Sequence, residues 1–218
     1  MKKISSPTIC EFKDLGLIDY ERAWDLQTRK VTEVIAGAAD SIFLCEHPPV
    51  LTMGRLAAEN NILWPNHELA QKGVEVHKID RGGEVTLHCP GQLVVYPILN
   101  LERFGKDLKL YLEKLQQVAI DLLQDFDIVA TGLSGQRGVW AGERKIVSIG
   151  IGVKKWVTYH GLVVNVNSDL TLFDMIKSCG LDVRMTSIEQ EKGRAVDMRD
   201  VKEKITRRFC EQFQLEIS

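Results

Sequence analysis

Short apolar runs interrupted by proline and glycine limit the fold of this chain more than any other feature. The runs SIFLCE and PVLTMG flank His47-Pro48-Pro49, and the runs EVTLH and QLVVYPIL flank Cys89-Pro90-Gly91. Apolar runs of this length that end at turn residues predict β-strands, and we expect the second pair to form a tight hairpin. The segments VEVHKID, GVWAGERKIVSIGIGV and VTYHGLVVNVN add further strands, with a hairpin tip at Gly142-Glu143-Arg144.

Three longer segments have the apolar spacing of amphipathic helices. They cover residues 19–37, 106–126 and 196–213, and a short helical piece is expected around Leu172 to Ile176. Asp19 can cap the first helix, and the second is expected to turn Leu108 inward. Strands and helices are mixed along the chain without a regular βαβ alternation, which predicts an α+β fold with a mixed β-sheet and flanking helices. We expect one domain over residues 1–218.

The composition argues against several classes of protein. Hydrophobic residues make up 44% of the 218 residues, charged residues 27%, and the formal net charge is -2. A nucleic-acid-binding domain usually carries a basic surplus. A membrane span needs about 20 consecutive apolar residues and a secretion signal needs an apolar core of about 7–15, and neither pattern occurs. We therefore expect a cytoplasmic protein that binds neither membrane nor nucleic acid.

The five cysteines are widely scattered and include no C-x-x-C pair. This pattern predicts free thiols without a disulfide framework or a structural zinc site. Cys45 and Cys210 lie in apolar patterns typical of a core, and Cys10 lies near an N-terminus expected to be irregular. Cys89 and Cys179 are the candidate nucleophiles, and their spacing does not decide between these two or exclude a buried, inert role for each.

The remaining candidates are equally open when judged from the residues alone. Gly82-Gly83 lacks the spacing of a nucleotide-binding loop, so it indicates either a turn or a close approach of a ligand to the backbone. His77 and His88 are weak candidates for metal ligands, because the adjacent Cys89 would point to the opposite face of the strand from His88. We therefore expect no metal and no cofactor. Lys145 opens an apolar strand, where a lysine is either the solvated strand end or a partner for a thiolate.

Five ordered blocks resemble one family across residues 40–190. They are EHPPVLTMGR, RGGEVTLHCPGQLVVYPILNL, GVWAGERKIVSIGIGV, HGLVVNVN and SCG. Together they resemble the octanoyltransferases of lipoic acid synthesis, which have an α+β domain related to the biotin- and lipoate-protein ligases. The resemblance implies an acyltransferase that takes an octanoyl group from octanoyl-acyl carrier protein. The implied acceptors are lysines of the lipoyl domains of 2-oxoacid dehydrogenase complexes or of the glycine cleavage H protein.

The resemblance also implies roles for individual residues. The family's nucleophile matches Cys179, and its partner lysine matches Lys145. We expect the thiol to form a thioester with the acyl group while the lysine manages the protons. Backbone N–H groups near Cys179 or Gly150 are candidate oxyanion donors. The implied acyl-binding residues are Arg81, Gly82, Gly83, Glu84, Val85, Thr86, Leu87, His88, Ser148, Ile149, Gly150, Gly161, Leu162 and Val163.

Two positions depart from the family pattern. Ser178 stands where the family usually has proline, and this change removes a rigid φ before the nucleophile. Cys89 occupies the second position of the family's H-G-P-G-Q motif, which places a second thiol near the expected pocket. Basic side chains at Arg103, Lys106, Lys109, Lys154 and Lys155 are candidates for docking the acidic carrier protein.

Three alternatives remain open. The first is an ATP-dependent lipoate-protein ligase of the same fold, which would not need a nucleophilic cysteine. The second is an amidotransferase that moves the acyl group between lipoyl domains, which the sequence poorly distinguishes from an octanoyltransferase. A catalytically inactive lipoyl-domain binder would not need Lys145 and Cys179 together. A thiol protease is disfavoured because no local signature of that class surrounds either cysteine.

Overall fold

The computed structural model describes residues 8–133, 135–177 and 183–218. Its larger sheet has seven strands in the order β10-β1-β2-β6-β9-β8-β7, and β1 pairs parallel with both of its neighbours while the other pairs are antiparallel. The strands are β1 (Thr8–Leu17), β2 (Asp40–Glu46), β6 (Gln92–Ile98), β7 (Gly138–Ala141), β8 (Arg144–Lys154), β9 (Val157–Asn165) and β10 (Leu215–Ile217).

A smaller sheet has three strands in the order β4-β3-β5. These strands are β3 (Val50–Met53), β4 (Glu75–Lys78) and β5 (Val85–His88). Leu51 and Leu87 are fully buried in the apolar cluster beneath this sheet, together with Cys89. The smaller sheet therefore has its own core, separate from those of the larger sheet.

The helices cover both faces of the larger sheet. One face carries α3 (Leu108–Gln124) and α5 (Met198–Phe213), whose buried side chains share a cluster with β6, β8 and β9. The other face carries α1 (Tyr20–Ile35), which packs on β2 and β6. Two short helices, α2 (Asn66–Gln71) and α4 (Ile188–Lys192), complete the set, and no helix of the described residues is long and apolar enough to cross a membrane.

The α+β class, the three long helices and the β7–β8 hairpin with Gly142 at its tip are confirmed. Two details of the helix predictions are wrong. Leu108 is 41% exposed at the start of α3, and the Asp19 side chain makes no capping hydrogen bond to α1. The short piece is a 3₁₀ helix at Leu170–Met175.

The N-terminal region forms a strand that the sequence pattern does not reveal. Residues of β1 lie mostly on the surface, but Cys10 is fully buried and pairs with Asp40 of β2. Cys10 therefore lies in a paired strand, and the expected irregular N-terminus lies outside the described residues. Because a largely exposed strand has few apolar residues, it shows little of the alternation from which strands are predicted.

The predicted hairpin at Cys89-Pro90-Gly91 is also wrong. β5 pairs with β3 in the smaller sheet, while β6 pairs with β2 and β9 in the larger one. The chain crosses from one sheet to the other at Gly91, whose N–H donates to Glu46 Oε2 at 2.9 Å. A Cβ on Gly91 would lie 2.4 Å from the carbonyl oxygen of Asn167, so only glycine fits this crossing.

Candidate active site

A cavity of about 410 Å³ lies between the two sheets. The smaller sheet contributes β5 and the preceding loop, and the larger sheet contributes β6, β8 and β9. This volume is within the range of small-molecule pockets. Thirteen of the residues expected at the site line the cavity: Arg81, Gly83, Glu84, Val85, Thr86, His88, Lys145, Ser148, Ile149, Gly150, Gly161, Leu162 and Val163.

The other three expected residues have different placements. Gly82 lies in the loop beside the cavity, where its N–H donates to the carbonyl of Ile151 at 2.9 Å. Leu87 is fully buried in the core of the smaller sheet and is not among the residues that line the cavity. Cys179 lies outside the described residues.

Lys145 is 4% exposed and reaches the cavity from the start of β8. Its Nζ lies 5.3 Å from the centre of the Trp140 ring, within the range of a cation–π contact. A Cβ on Gly138 would lie 2.6 Å from Lys145 Cε, so the glycine leaves the space through which the lysine side chain passes. The burial and this passage hold the amine in one region of the cavity.

The chain on both sides of residues 178–182 is attached close to the cavity. Lys177 N–H donates to the carbonyl of Asn61 at 2.8 Å. On the other side, the returning chain is hydrogen-bonded to Lys145, whose N–H donates to the carbonyl of Arg184 at 2.8 Å. Val183 itself lines the cavity.

The loop 81–84 is fastened to β3 by the guanidinium of Arg81. One Arg81 nitrogen, Nη2, donates to the carbonyl of Thr52 at 2.6 Å and to that of Glu84 at 2.8 Å. The loop also approaches β8 closely, because a Cβ on Gly150 would lie 2.9 Å from the carbonyl oxygen of Gly82. The glycines here serve a close approach of two backbone segments, and Gly83 has a φ of +96°.

His88 forms part of a buried aromatic group at the cavity wall. Its pKa lies well below the ordinary histidine value, first because burial disfavours the charged form and second because His47 and Arg81 repel it. The ring is therefore neutral near pH 7. His47 Nδ1 donates to the carbonyl of Ile18 at 2.6 Å, so its Nε2 accepts from the Tyr96 hydroxyl at 2.8 Å.

A second polar group anchors the loop from the β9 side. Asp80 accepts from His160 Nε2 at 3.2 Å and from the Tyr159 hydroxyl at 2.6 Å. These hydrogen bonds, the His160 bond first, lower the pKa of Asp80 to about 2. His160 has a φ of +53°, and its ring stacks on Trp24 with centroids 4.8 Å apart. Asp80 thereby ties the chain just before Arg81 to the larger sheet.

Several lining residues are not among those expected from the sequence. They are Tyr20, Leu56, Ile79, Val94, Tyr96, Gly135, Gln136, Arg137, Trp140, His160 and Val183. Tyr96 and Val94 alternate along β6, and this period-2 pattern places them on one face of the sheet. Tyr20 begins α1 and reaches the cavity only through tertiary packing, so no local pattern identifies it.

The cysteines and the candidate metal ligands can now be placed. Cys89 is fully buried below the smaller sheet, not in the cavity lining, and burial raises the pKa of its thiol to about 12. His77 lies on β4 and His88 on β5, so β3 separates them. Among the described residues no group of three His, Cys, Asp or Glu side chains is placed to hold a metal ion.

The arrangement of a seven-stranded sheet, a small second sheet and a cavity between them defines a fold class. It is the fold of the lipoate- and biotin-protein ligases. A chain in the structure of a bi-partite lipoate protein ligase and its E2 lipoyl domain from Thermoplasma acidophilum superposes with a TM-score of 0.75 at 13% identity, over 98% of this chain and 86% of that one. A biotin protein ligase from Aquifex aeolicus gives 0.59 at 18% identity, over 94% and 70%.

Sequence similarity identifies the family within that fold. Residues 19–210 match the family described as the lipoyl protein ligase A/B catalytic domain. An octanoyltransferase from Geotalea uraniireducens is 44% identical over 198 residues, covering 90% of this chain and 89% of the relative. One from Nitratidesulfovibrio vulgaris is 42% identical over 202 residues, covering 92% and 93%. The chain belongs to the lipoyl protein ligase A/B family and, within it, to the octanoyltransferase enzymes.

Proposed function

We propose that this enzyme moves an octanoyl group from octanoyl-acyl carrier protein to a lysine amine of lipoyl domains, through a thioester on Cys179. The proposed acceptors are the lipoyl domains of 2-oxoacid dehydrogenase complexes and the glycine cleavage H protein. The reaction is proposed to take place in the cytoplasm, where thiols stay reduced.

One observation carries the proposal. The buried Lys145 lines a cavity, and the chain that contains Cys179 is attached to Asn61 at Lys177 on one side and to Lys145 itself at Arg184 on the other. Cys179 is two residues from Lys177 and five from Arg184, so the chain can span at most about 7 Å and 18 Å from these positions. The proposal brings the thiol, within that reach, to the Lys145 amine as the basic group that would stabilise a thiolate.

The cavity suits an alkyl chain. Val85, Leu162 and Val163 contribute apolar surface from both sheets. Burying each CH₂ group is worth about 0.8 kcal/mol, so the depth of the cavity can select the length of the acyl chain. The neutral ring of His88 adds no charge to this wall and is proposed to orient the neighbouring chain.

The reaction divides into two balanced steps. The Cys179 thiolate attacks the carbonyl carbon of the donor thioester, a new C–S bond forms, and the carrier thiol leaves with a proton supplied by Lys145. The acceptor lysine amine then attacks the acyl-enzyme, an amide C–N bond forms, and the Cys179 sulfur leaves. Neutral Lys145 takes the amine proton, so the enzyme returns to its starting state. Two half-reactions predict ping-pong kinetics.

The test is intact-mass measurement after incubation with octanoyl-acyl carrier protein. The wild type is expected to gain about 126 Da, the mass of one octanoyl group replacing a proton, through an acyl-enzyme intermediate. Cys179→Ser should lose that thioester, and Cys89→Ser should retain it. The adduct should then discharge onto a lipoyl domain without ATP.

Three results would replace this proposal. An adduct that survives Cys179→Ser but is absent in Cys89→Ser would move the nucleophile to the buried thiol. Acylation that requires free octanoate and ATP would identify a lipoate-protein ligase activity. Transfer only from an octanoylated lipoyl domain would identify an amidotransferase.

A further inference from the structure

Three of the five basic side chains predicted to dock the carrier protein are paired with carboxylates, whereas Lys154 and Lys155 are exposed. Arg103 Nη1 lies 2.8 Å from Asp40 Oδ1, Lys106 Nζ lies 2.7 Å from Glu102 Oε1, and Lys109 Nζ lies 3.8 Å from Glu113 Oε1. Paired charges of this kind present little net field to a partner.

The predicted docking side chains also lie far from Lys145. Lys154 is nine strand positions from Lys145 on β8, which corresponds to about 30 Å. Just beyond Lys154, the carbonyl of Trp156 accepts a hydrogen bond from the N–H of Leu101 at 2.8 Å, and Leu101 is two residues from Arg103. The predicted patch therefore lies at the opposite end of β8 from Lys145.

A different set of cations lies on the chain segments that adjoin the cavity. Arg55, Arg137, Lys177 and Arg184 are all exposed, and within the described part of the chain no carboxylate forms an ion pair with any of them. We call these four residues the basic rim. Their charges are available to an acidic partner.

Two residues of the basic rim, Arg55 and Arg137, lie beside the cavity lining. Arg55 N–H donates to the carbonyl of Arg81 at 3.0 Å, and a Cβ on Gly82 would lie 2.3 Å from Arg137 Nη1. Arg137 also lines the cavity itself.

The other two rim residues flank the position of Cys179 in the sequence. Lys177 N–H is bonded to the carbonyl of Asn61, whose side chain donates to Glu84 Oε2 at 2.8 Å. The Arg184 carbonyl accepts from Lys145 N–H. Lys177 and Arg184 therefore sit on opposite sides of the chain that carries the proposed nucleophile.

Exposed apolar surface accompanies the rim. Leu56 follows Arg55, is 70% exposed and lines the cavity. Leu63 is 49% exposed and is tied to the 3₁₀ helix before Lys177, since its N–H donates to the Met175 carbonyl at 2.8 Å. Apolar side chains next to unpaired cations form a surface suited to a protein partner with an acidic, partly apolar face.

We propose that the basic rim is the docking surface of the acidic acyl carrier protein, in place of the patch around Lys106. This inference rests on the proposed function, because it assumes a protein donor for the cavity. Docking at the rim brings the carrier's thioester to the opening that leads to Lys145. Charge complementarity favours an acidic partner at this point even though the whole chain has a net charge of only -2.

The experiment compares two donors with two charge-reversal variants. The rim variant is Arg55→Glu with Lys177→Glu, and the matched control is Lys106→Glu with Lys109→Glu. The donors are octanoyl-acyl carrier protein and the small thioester octanoyl-pantetheine. In the rim variant the kcat/KM ratio of protein donor to small donor should fall by about tenfold or more, and its salt dependence should flatten.

The outcomes separate this inference from the proposed function. A fall in that ratio in the control variant and not in the rim variant overturns the docking surface. If neither donor acylates the wild type, the proposed function fails. In that case calorimetric measurement of carrier-protein binding to the same variants still tests the docking surface. Equal affinities of wild type and rim variant for the carrier protein would overturn the docking surface. If the rim variant forms the acyl-enzyme normally but discharges slowly to lipoyl domains, the rim serves the acceptor and the inference is wrong.

Discussion

The backbone of Lys145 is hydrogen-bonded to the chain that returns after Cys179: its N–H donates to the Arg184 carbonyl at 2.8 Å, and its carbonyl accepts from Thr186 N–H at 2.9 Å. The bridge runs parallel, with Lys145 opposite Met185. The lysine and the chain that follows the cysteine therefore have one fixed pairing register. A proton transfer that requires heavy atoms about 3 Å apart benefits from such a constraint.

Replacing Lys145 with glutamine should abolish most acyl transfer. The amide cannot accept or donate a proton in the same way, and general acid–base groups typically contribute about 10²–10⁴-fold to rate. The measurement is kcat for octanoyl transfer to a lipoyl domain. The matched control is Lys154→Gln at the exposed other end of β8, which should keep its rate. A rate loss of less than tenfold in Lys145→Gln would contradict the assigned role.

Gly138→Ala should impair catalysis by displacing the Lys145 side chain. The new methyl group would lie 2.6 Å from Lys145 Cε and 2.5 Å from the Val147 carbonyl oxygen. We expect kcat to fall by about 10²-fold, since small misplacements of catalytic groups have effects of this size, and stability to fall by about 1–3 kcal/mol.

Gly142→Ala is the control for that substitution. Gly142 has a φ of +58° at the hairpin tip and no atom within 4 Å of an added Cβ. It should cost about 1 kcal/mol of stability through backbone strain alone and leave kcat unchanged. Equal kcat losses in the two variants would show that the effect comes from the β7–β8 hairpin and not from contact with Lys145.

Cys89 should be unreactive in the folded protein. Burial, with a smaller contribution from Asp169, raises the pKa of its thiol to about 12, so almost no thiolate exists near pH 7. Brief treatment with iodoacetamide followed by peptide mass mapping should leave Cys89 unmodified until denaturant is added. Cys89→Ser should lower the free energy of unfolding by about 1–3 kcal/mol, because a hydroxyl replaces a thiol in an apolar cluster. Rapid alkylation of Cys89 in the native state would disprove this assignment.

Stability should fall as the pH drops below about 6.5. Burial lowers the pKa of His88 in the folded protein, so between its unfolded pKa and its folded pKa only the unfolded state binds the proton. One pH unit below the unfolded value this difference amounts to about 1 kcal/mol for His88 alone.

Urea unfolding at several pH values tests this dependence. His88→Gln should flatten the slope of the unfolding free energy between pH 6.5 and 5.5, although His47 and His160, whose pKa values burial also lowers, will keep part of it. A slope that is identical in wild type and His88→Gln would show that His88 becomes protonated within the folded state.

The sequence was informative where local patterns decide the structure. Apolar spacing located α1, α3 and α5, because each helix buries one continuous face against the sheet. The turn at Cys89-Pro90-Gly91 was visible, but a turn does not determine the strand with which each flanking run pairs. That choice depends on which sheet covers more apolar surface, a property of the whole fold.

The candidate site shows the same division. Ordered blocks of residues pointed to most of one cavity wall, including Lys145 and Ser148 to Gly150. Tyr20 and His160 reach the wall through the packing of α1 and through a left-handed backbone within β9, and neither feature leaves a signal in a short stretch of sequence. The ion pair of Lys109 follows from helix spacing, since Glu113 is four residues further along α3, whereas Lys106, which pairs with Glu102, lies outside any helix with a φ of +55°.

The passage of the chain from one sheet to the other at Gly91 divides the enzyme into two parts that can evolve separately. The larger sheet carries the lysine, and the smaller sheet supplies the opposite wall of the cavity. The proposed function therefore predicts that substitutions in β5 alter which acyl group is accepted, while the hydrogen bonds of the Lys145 backbone to Arg184 and Thr186 stay unchanged.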